Sequence, residues 1–307
     1  MYEKCCKREG QIRSSYEALL TITNLFKMRK IKKAGFAVTF SYLSSRMSII
    51  TPKIKLINMK KILLFVIAIA ASISVQAQTV DEILDNYFEN IGGKEKLANV
   101  KGMKMTAEVN QGGMVIPIEI YNMSDGRQMT VITFQGKTIK QGVFDGETLW
   151  SDNFMTMKAE KSDAEATANF KLESDDFPDA FLKYKERGYK AELLGNETID
   201  GTETFKIKLT KKPITVDGKE EENIEFYFFD TENFVPIAIH SEIKSGQAKG
   251  MMSVVTMSDY DEVDGLYFPF SMTQGVKGQP GQPITIKKIE LNPTVDDKEF
   301  KFPEEEK

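Results

Sequence analysis

Alternation of apolar and polar residues recurs through most of the chain after residue 100 and indicates β-strands. Residues 202–210 give the clearest case, because Phe205, Ile207 and Leu209 fall on one face of an extended strand and two lysines fall on the other. Comparable runs span residues 103–110, 114–122, 128–134, 138–144, 148–153, 224–230, 236–243, 251–260, 266–273 and 284–291.

Asp-Gly pairs separate several of these runs. Both residue types tolerate the positive φ angles that type I′ hairpin turns require. Because hairpin follows hairpin without alternating helices, the pattern predicts an antiparallel meander and not a parallel α/β sheet. The pairs lie at residues 125–126, 145–146, 200–201, 217–218 and 264–265.

Two segments have helical spacing of apolar residues. In residues 79–100, Thr79 is predicted to cap a helix, since a glutamate follows three residues later and Gly92-Gly93 marks the end. In residues 164–187 the apolar positions recur around a break at Pro178. A sheet of about ten strands tends to curl, so we expect these two segments to cover its concave face.

Residues 59–77 have the features of a secretion signal. Lys60 and Lys61 precede an apolar run over residues 62–71, and the small-residue site Val75-Gln76-Ala77 follows. We therefore expect cleavage after Ala77 and export to the periplasm. The alternative is a membrane anchor that stays attached. The apolar run over residues 62–71 favours cleavage over an anchor, because a membrane-spanning helix needs about 20 apolar residues.

Residues 1–58 are rich in lysine and arginine and contain both cysteines, Cys5 and Cys6. They lack a persistent amphipathic period. We hypothesise that the true start is Met59 and that this stretch is a non-native leader; the alternative is a disordered basic arm. The predicted organisation is thus a leader over residues 1–58, a signal peptide over 59–77 and one folded domain over 78–307.

Removal of residues 1–77 changes the charge of the chain. Those residues hold 14 of the 41 basic and 3 of the 45 acidic residues. Residues 78–307 therefore have a formal net charge of 27 − 42 = −15. Such an acidic body disfavours nucleic acid, whose binding depends on lysine and arginine. No cysteine remains, which excludes disulfides and the acylated cysteine of a lipoprotein. We expect a soluble monomer.

Candidate chemistry is sparse. The single histidine, His240, is predicted to face solvent, away from Ile237 and Ile239, and has no cysteine or second histidine with which to bind a metal. A Ser-His-Asp triad through His240 stays open, but the chain has no G-x-S-x-G elbow. Residues 259–265 depart from a calcium loop at two positions. We predict no catalytic residue, no metal, no cofactor and no enzymatic activity.

Several segments together resemble the lipoprotein-sorting superfamily of LolA and LolB type, in the variant common in Bacteroidetes-like secreted proteins. The resemblance covers nearly all of residues 79–293, and its motifs are turn and strand signatures. The segments that carry it are Val80-Asp81-Glu82-Ile83-Leu84, Gly92-Gly93-Lys94-Glu95-Lys96-Leu97, Asp145-Gly146-Glu147-Thr148-Leu149-Trp150, Gly195-Asn196-Glu197-Thr198-Ile199-Asp200-Gly201, Phe229-Asp230 and Asp264-Gly265-Leu266-Tyr267-Phe268-Pro269.

The resemblance implies a mainly β (α+β) fold in which one strongly curved antiparallel sheet forms an incomplete barrel, with helices as a lid over an apolar cavity. It also implies a periplasmic, non-enzymatic carrier whose partners are lipid or lipoprotein acyl chains and envelope transport proteins. The alternative is a protein-interaction or sensor module on the same scaffold, with a packed interior.

Large, adaptable apolar side chains suit such a cavity, because methionine adjusts to flexible ligands. The alternative is that these residues fill a packed core, and for any one of them taken alone the core interpretation is favoured. An arginine near the early strands matters in the resembled carriers, and Arg127 is the candidate here, with an exposed hairpin arginine as the alternative. We expect the cavity lining to include Phe134, Phe144, Trp150, Phe154, Phe226, Phe228, Met251 and Met257, and the lid to include Leu84, Phe88, Phe177 and Phe181.

Overall fold

The structure is a computed structural model that describes residues 78–303. The predicted leader and signal peptide lie outside the described residues. Within residues 78–303, no helix has the length and apolar composition needed to cross a membrane. The helices are α1 (Val80–Asn90), α2 (Lys94–Ala98), α3 (Ala164–Ser174) and a 3-10 helix (Asp297–Phe300). The strands are β1 (Gly102–Gln111), β2 (Met114–Met123), β3 (Gln128–Phe134), β4 (Lys137–Phe144), β5 (Leu149–Asp152), β6 (Ala159–Lys161), β7 (Lys190–Ile199), β8 (Thr202–Thr210), β9 (Ile214–Val216), β10 (Lys219–Glu221), β11 (Ile224–Asp230), β12 (Pro236–Glu242), β13 (Met252–Val263), β14 (Leu266–Val276) and β15 (Gln282–Leu291).

Thirteen strands form one antiparallel sheet in the order β6-β5-β4-β3-β2-β1-β15-β14-β13-β12-β11-β8-β7, and β9 and β10 form a separate hairpin. Pairing of β1 with β15 joins the two meanders, with Met103 opposite Leu291 and Val109 opposite Ile284. In the described part of the chain the edge strands β6 and β7 do not pair, so the sheet does not close into a barrel. The predicted antiparallel, incomplete-barrel fold is confirmed, with more strands than the sequence indicated.

Helix α1 begins as predicted. The Thr79 hydroxyl accepts a hydrogen bond from the Glu82 amide at 3.2 Å, and the Glu82 carboxylate accepts one from the Thr79 amide at 2.8 Å. Gly92 and Gly93 follow with φ of 105° and 106°. A Cβ at Gly92 would overlap the carbonyl oxygen of Gly265, so only glycine lets the turn between β13 and β14 approach α1 this closely.

Three of the Asp-Gly pairs form the expected turns. Asp200-Gly201, Asp217-Gly218 and Asp264-Gly265 have positive φ at both residues, as type I′ turns require. At the pairs 125–126 and 145–146 only the glycine has positive φ, so the prediction of a type I′ turn is wrong there.

The second predicted helix is shorter than expected. Residues 164–187 are helical only as far as Ser174, where α3 ends, and the following residues form turns around the Phe177-Pro178 peptide, which is cis. A proline has no N–H to donate and disfavours a helical conformation in the residue before it, which accounts for the early end. We call residues 175–189 the cover segment.

The sheet has two differently covered faces. The inner face packs against α1 and the cover segment, and it includes Phe205, Ile207 and Leu209 of β8, which confirms the predicted alternation in that strand. The outer face carries a separate cluster in which Trp150 packs against Phe300 of the 3-10 helix. A buried core therefore lies on each side of the sheet.

Candidate functional site

A cavity of about 500 Å³ lies between the cover segment and the inner face of β11 to β14. Ile239, Met257 and Phe268 line it from neighbouring strands, and Phe177 and Pro178 line it from the cover segment. This volume lies within the range of about 300–1,000 Å³ typical of small-molecule sites. The arrangement provides an apolar wall on two opposite sides.

One end of the cavity is ionic. Lys211, which follows β8 and has a side chain only 6% exposed, lies 3.1 Å from the Asp176 carboxylate of the cover segment and 2.8 Å from the Glu225 carboxylate of β11. The Asp176 carboxylate also pairs with Arg187 at 3.3 Å and accepts a hydrogen bond from the Tyr189 hydroxyl at 2.9 Å. The contact with Lys211 fastens the cover segment to the sheet, and the contacts of Asp176 with Arg187 and Tyr189 join the two ends of the segment.

The charges of this cluster stabilise one another. Burial alone would lower the pKa of Lys211, but attraction by Glu225 and Asp176 outweighs it and raises that pKa above its ordinary value. The Tyr227 hydroxyl donates a hydrogen bond to the second Glu225 oxygen at 2.7 Å. Burial, followed by the charge of Glu225, raises the pKa of Tyr227 well above its ordinary value. Tyr227 therefore stays a neutral donor, and Lys211 stays an ammonium.

A second polar contact joins the cover segment to α1. The Asp179 carboxylate accepts hydrogen bonds from the Tyr87 hydroxyl at 2.8 Å and from the Phe181 amide at 2.7 Å. Burial raises the pKa of Asp179, while both hydrogen bonds oppose that shift. The contact fixes the turn directly after Pro178 against the helix.

Carboxylates predominate among the charged groups that line the cavity. Glu173, Asp176, Asp179 and Glu225 line it together with a single ammonium, that of Lys211, which is already paired. A ligand with its own carboxylate would be repelled at this end. A neutral polar head joined to an alkyl chain matches both the ionic end and the apolar walls. Among residues 78–303, no group of three His, Cys, Asp or Glu side chains is arranged to hold a metal ion.

The apolar inner face extends beyond the cavity. Phe177 and Phe268, which line the cavity, also contact a second cluster on β1, β2, β14 and β15. Val109, Ile116 and Ile284 belong to this cluster and are only half-buried. A continuous apolar surface thus runs from the cavity toward the ends of the strands near residues 111–114.

Among the residues predicted to line the cavity, Met257 does so. Phe144 also lies on the inner side, but it packs edge-on against Phe170 of α3 with ring centroids 5.4 Å apart, away from the cavity. Phe134 ends β3 and is half-buried. Neither Phe134 nor Phe144 is among the residues that line the cavity.

Three other predicted lining residues are on the wrong face. Trp150 is 3% exposed on the outer face, where its indole N–H donates to the Phe300 carbonyl at 2.9 Å. Phe226 and Phe228 also point outward, with the Lys206 ammonium 5.1 Å and 5.4 Å from their ring centroids. The prediction fails because residues 226–229 of β11 are all aromatic, so that both faces of the strand carry aromatic side chains and composition does not identify the inner face.

Two more predicted lining residues lie on loops. Phe154 is 61% exposed between β5 and β6, and Met251 is 39% exposed just before β13. Neither lines the cavity, because both fall beyond the strand ends.

The predicted lid residues lie on the elements that cover the sheet. Phe177 lines the cavity. Leu84, Phe88 and Phe181 are buried in the core between α1, the cover segment and the inner face. These three hold the cover in place, and the cavity itself is lined by their neighbours.

Arg127 lies on the outer face, remote from the cavity lining. Its guanidinium lies 2.8 Å from the Asp125 carboxylate and 2.6 Å from that of Asp297, and it stacks over the Phe300 ring at 5.0 Å. Hydrogen bonding to Asp125 raises the pKa of Arg127. The residue fastens the C-terminal 3-10 helix to the β2–β3 hairpin.

His240 faces away from Ile239, as its strand alternation indicates, but it is not solvent-exposed. It is 8% exposed and lies with its ring centroid 4.5 Å from that of Phe228. Burial, followed by the charge of Lys277, lowers the pKa of His240. The prediction of a solvent-facing side chain is wrong, because the outer face of β11 and β12 is itself covered.

Sequence reasoning missed several cavity residues. Lys211, Asp176 and Glu225 were not singled out, since they are far apart in sequence and only the strand order brings them together. Ile239 and Phe268 carried a usable signal: each lies on the apolar side of an alternating strand.

The fold and the cavity together define an open antiparallel barrel with a covered inner face. Several solved structures are similar to this chain. Similar structures include a LolA superfamily protein from Nitrosomonas europaea (14% identity, TM-score 0.45, covering 73% of this chain and 98% of that chain). Another is a DUF1329 family protein from Desulfovibrio piger, with 15% identity and a TM-score of 0.44 over 71% of this chain and 97% of that chain. A third is described as a putative outer membrane lipoprotein-sorting protein domain from Vibrio parahaemolyticus, with 9% identity and a TM-score of 0.43 over 71% of this chain and 94% of that chain.

No protein-family profile matches the chain, and no curated protein matches it in sequence. The superfamily that the sequence motifs resemble is the one named for the Nitrosomonas structure.

Proposed function

We propose that this protein is a non-enzymatic carrier of the bacterial envelope that holds the acyl chain of a lipid or lipoprotein between its cover segment and the inner face of its sheet. The observation that carries the proposal is the cavity of about 500 Å³ with apolar walls. Export to the periplasm, through the signal predicted over residues 59–77, is part of the same proposal.

The size of the cavity suits one acyl chain. A methylene is about as large as a water molecule, whose share of liquid volume is about 30 Å³, so the cavity of about 500 Å³ holds roughly 16 such groups. At about 0.8 kcal/mol for each fully buried methylene, such a chain would gain at most about 13 kcal/mol, and it gains less where the cavity opens to solvent. Association costs about 4–15 kcal/mol, so useful affinity requires most of the chain to be buried.

The ionic end favours a neutral ligand. Lys211 is already shared by Asp176 and Glu225, so the carboxylate of a free fatty acid would compete with both for that ammonium and meet their negative charge. Glycerides and the acyl chains of lipoproteins carry no charge next to the chain. We therefore expect a monoacylglycerol to bind more tightly than the free fatty acid of the same length.

A fluorescent monoacylglycerol tests the proposal. Met257→Trp, which fills the cavity wall, should weaken saturable binding about tenfold or more, since roughly two methylenes of burial are lost. Met251→Trp is the matched control, because Met251 lies on a loop outside the cavity, and it should bind as the wild type does. Absence of saturable binding to the wild type, or equal losses in both variants, would refute the proposal.

The alternative interpretation, an interaction module with a packed interior, predicts no ligand-sized space under the cover. The position of the cavity, between the cover segment and the inner face of the sheet, supports the carrier.

A further inference from the structure

Large apolar side chains are exposed at one end of the sheet. Among the described residues, eight large hydrophobic side chains are exposed, and six of them lie at this end, in its loops or at the start of β2: Met114, Val115, Phe154, Met155, Met157 and Met251. The other two, Leu194 and Tyr267, lie within β7 and near the start of β14. We call the end that carries the six the apolar rim.

Strand order places these loops together. β1 runs toward Gln111, and successive antiparallel neighbours reverse direction, so the β1–β2, β3–β4 and β5–β6 connections all lie at the same end. Adjacent strands are about 4.8 Å apart, which puts β2 and β5 roughly 14 Å from each other. Two connections of this group, β1–β2 and β5–β6, carry exposed apolar residues.

The loop between β5 and β6 presents its apolar residues in an ordered turn. The Asn153 side-chain oxygen accepts hydrogen bonds from the amides of Met155 at 2.9 Å and Thr156 at 3.1 Å, and the Asn153 amide donates to the Lys158 carbonyl at 2.8 Å. Met155 is 95% exposed at the tip. An apolar side chain held outward in this way gains free energy only when something apolar covers it.

The charge of the rim differs from that of the rest of the chain. Residues 78–307 contain 42 acidic and 27 basic residues, yet residues 109–118 and 153–158 contain no carboxylate, and the nearby tips carry Lys137 and Lys158. Membrane surfaces are commonly anionic and attract lysine. The β1–β2 and β5–β6 connections are therefore less acidic than the rest of the protein, whereas the loop before Met251 lies near Glu221 and Asp217, which pair with its Lys244 and Lys249.

The rim also adjoins the proposed route of the ligand. Ile116 and Val109 lie just below the tip of the β1–β2 hairpin and belong to the half-buried apolar surface that reaches the cavity. A chain that left a bilayer at this end would meet apolar side chains along its way. Exposed apolar tips, local basic charge and this continuity point to the same occupant.

We propose that the apolar rim docks on a lipid bilayer, with Phe154 and Met155 entering the headgroup region and the half-buried inner face turned toward the membrane. The inference rests on the proposed carrier function and names the surface from which, or to which, the acyl chain passes.

Vesicle flotation tests the docking. The full chain is used as purified from the envelope, with its N-terminus determined by mass spectrometry, and vesicles contain phosphatidylethanolamine and phosphatidylglycerol. The double variant Phe154→Ser/Met155→Ser should lose about tenfold or more in partitioning, since two large apolar side chains no longer enter the interface. Leu194→Ser is the matched control, because Leu194 is similarly exposed but lies outside the rim, and it should float as the wild type does.

Two results would overturn the docking proposal. One is a wild-type protein that stays in the soluble fraction, as expected if a protein partner covers the rim. The other is a double variant that floats as well as Leu194→Ser, as expected if an N-terminal segment common to all variants drives flotation. Monoacylglycerol binding by the same proteins separates the two proposals: loss of docking with intact binding refutes the rim alone, and flotation without monoacylglycerol binding refutes the carrier alone.

Discussion

Replacing Lys211 with methionine removes the ammonium that joins the cover segment to the sheet. Its side chain is 6% exposed and contacts Asp176 at 3.1 Å and Glu225 at 2.8 Å. Methionine approximates the length and apolar stem of lysine, so the change removes mainly the charge. The two carboxylates then stay buried without their shared cation.

The expected loss in the free energy of unfolding depends on the hydrogen-bond and ion-pair partners that Asp176 and Glu225 retain. Removing one partner of a buried ion pair costs about 3–5 kcal/mol. Asp176 keeps Arg187 at 3.3 Å and Tyr189 at 2.9 Å, and Glu225 keeps the Tyr227 hydroxyl at 2.7 Å. These contacts place the loss in the free energy of unfolding at the lower end, about 3 kcal/mol.

Urea denaturation followed by circular dichroism measures this loss. With a slope of about 2–3 kcal/mol per molar urea, Lys211→Met should lower the midpoint by about 1 M or more. Lys211→Arg, which keeps the charge, should recover most of the loss. Lys249→Met removes an exposed, solvent-screened pair with Asp217 and should leave the urea midpoint unchanged. If Lys211→Met changed it as little as Lys249→Met, the ion cluster would not fasten the cover.

The remaining predictions concern other parts of the molecule. Thr79→Ala removes the α1 cap and should lower the free energy of unfolding by about 1 kcal/mol in urea titrations, whereas an unchanged midpoint would show that the cap is dispensable. Trp150→Phe leaves the Phe300 carbonyl without its hydrogen-bond donor and should lower the free energy of unfolding by about 1–3 kcal/mol. The affinity for monoacylglycerol should stay unchanged, because Trp150 lies on the outer face. The sole histidine, His240, should titrate below its ordinary pKa of about 6.5 in proton NMR, and a value at or above 6.5 would contradict its burial. Because the unfolded chain then binds the proton more tightly, His240 should lower stability as the pH falls through about 6.5, and His240→Phe should remove that contribution.

Local signals predicted the elements whose pattern permits only one interpretation. The Thr79 capping box has a specific side-chain spacing, and β8 alternates apolar and basic residues, so α1 and the inner side of β8 follow from sequence. Asp264-Gly265 marked a turn for the same reason. These features depend on neighbours within a few residues.

The faces of β11 and β5 depended on distant contacts. Residues 226–229 of β11 are all aromatic, and only the pairing of Tyr227 with Ile207 of β8 decides which of them turn inward. Trp150 in β5 is covered by Phe300, which is 150 residues away. Period-two alternation cannot identify the buried side when both faces of a strand are covered.

The site was the least predictable part for the same reason. Apolar residues of the correct type were expected, and Met257 and Phe177 do line the cavity. The ion cluster joins a turn to two strands, and the early end of α3 before Pro178 determines where that turn lies. Charges that meet only through topology leave no local pattern.

Isotope-filtered nuclear Overhauser spectroscopy tests most directly whether an acyl chain occupies the space beneath the cover. The protein carries ¹³C-labelled methionine and isoleucine methyl groups and binds unlabelled monoacylglycerol. We expect contacts from the acyl methylenes to the methyl groups of Met257 and Ile239, and none to Met129, which is buried in the outer-face cluster. Contacts to Met129, or none to Met257 at saturating ligand, would contradict the carrier proposal.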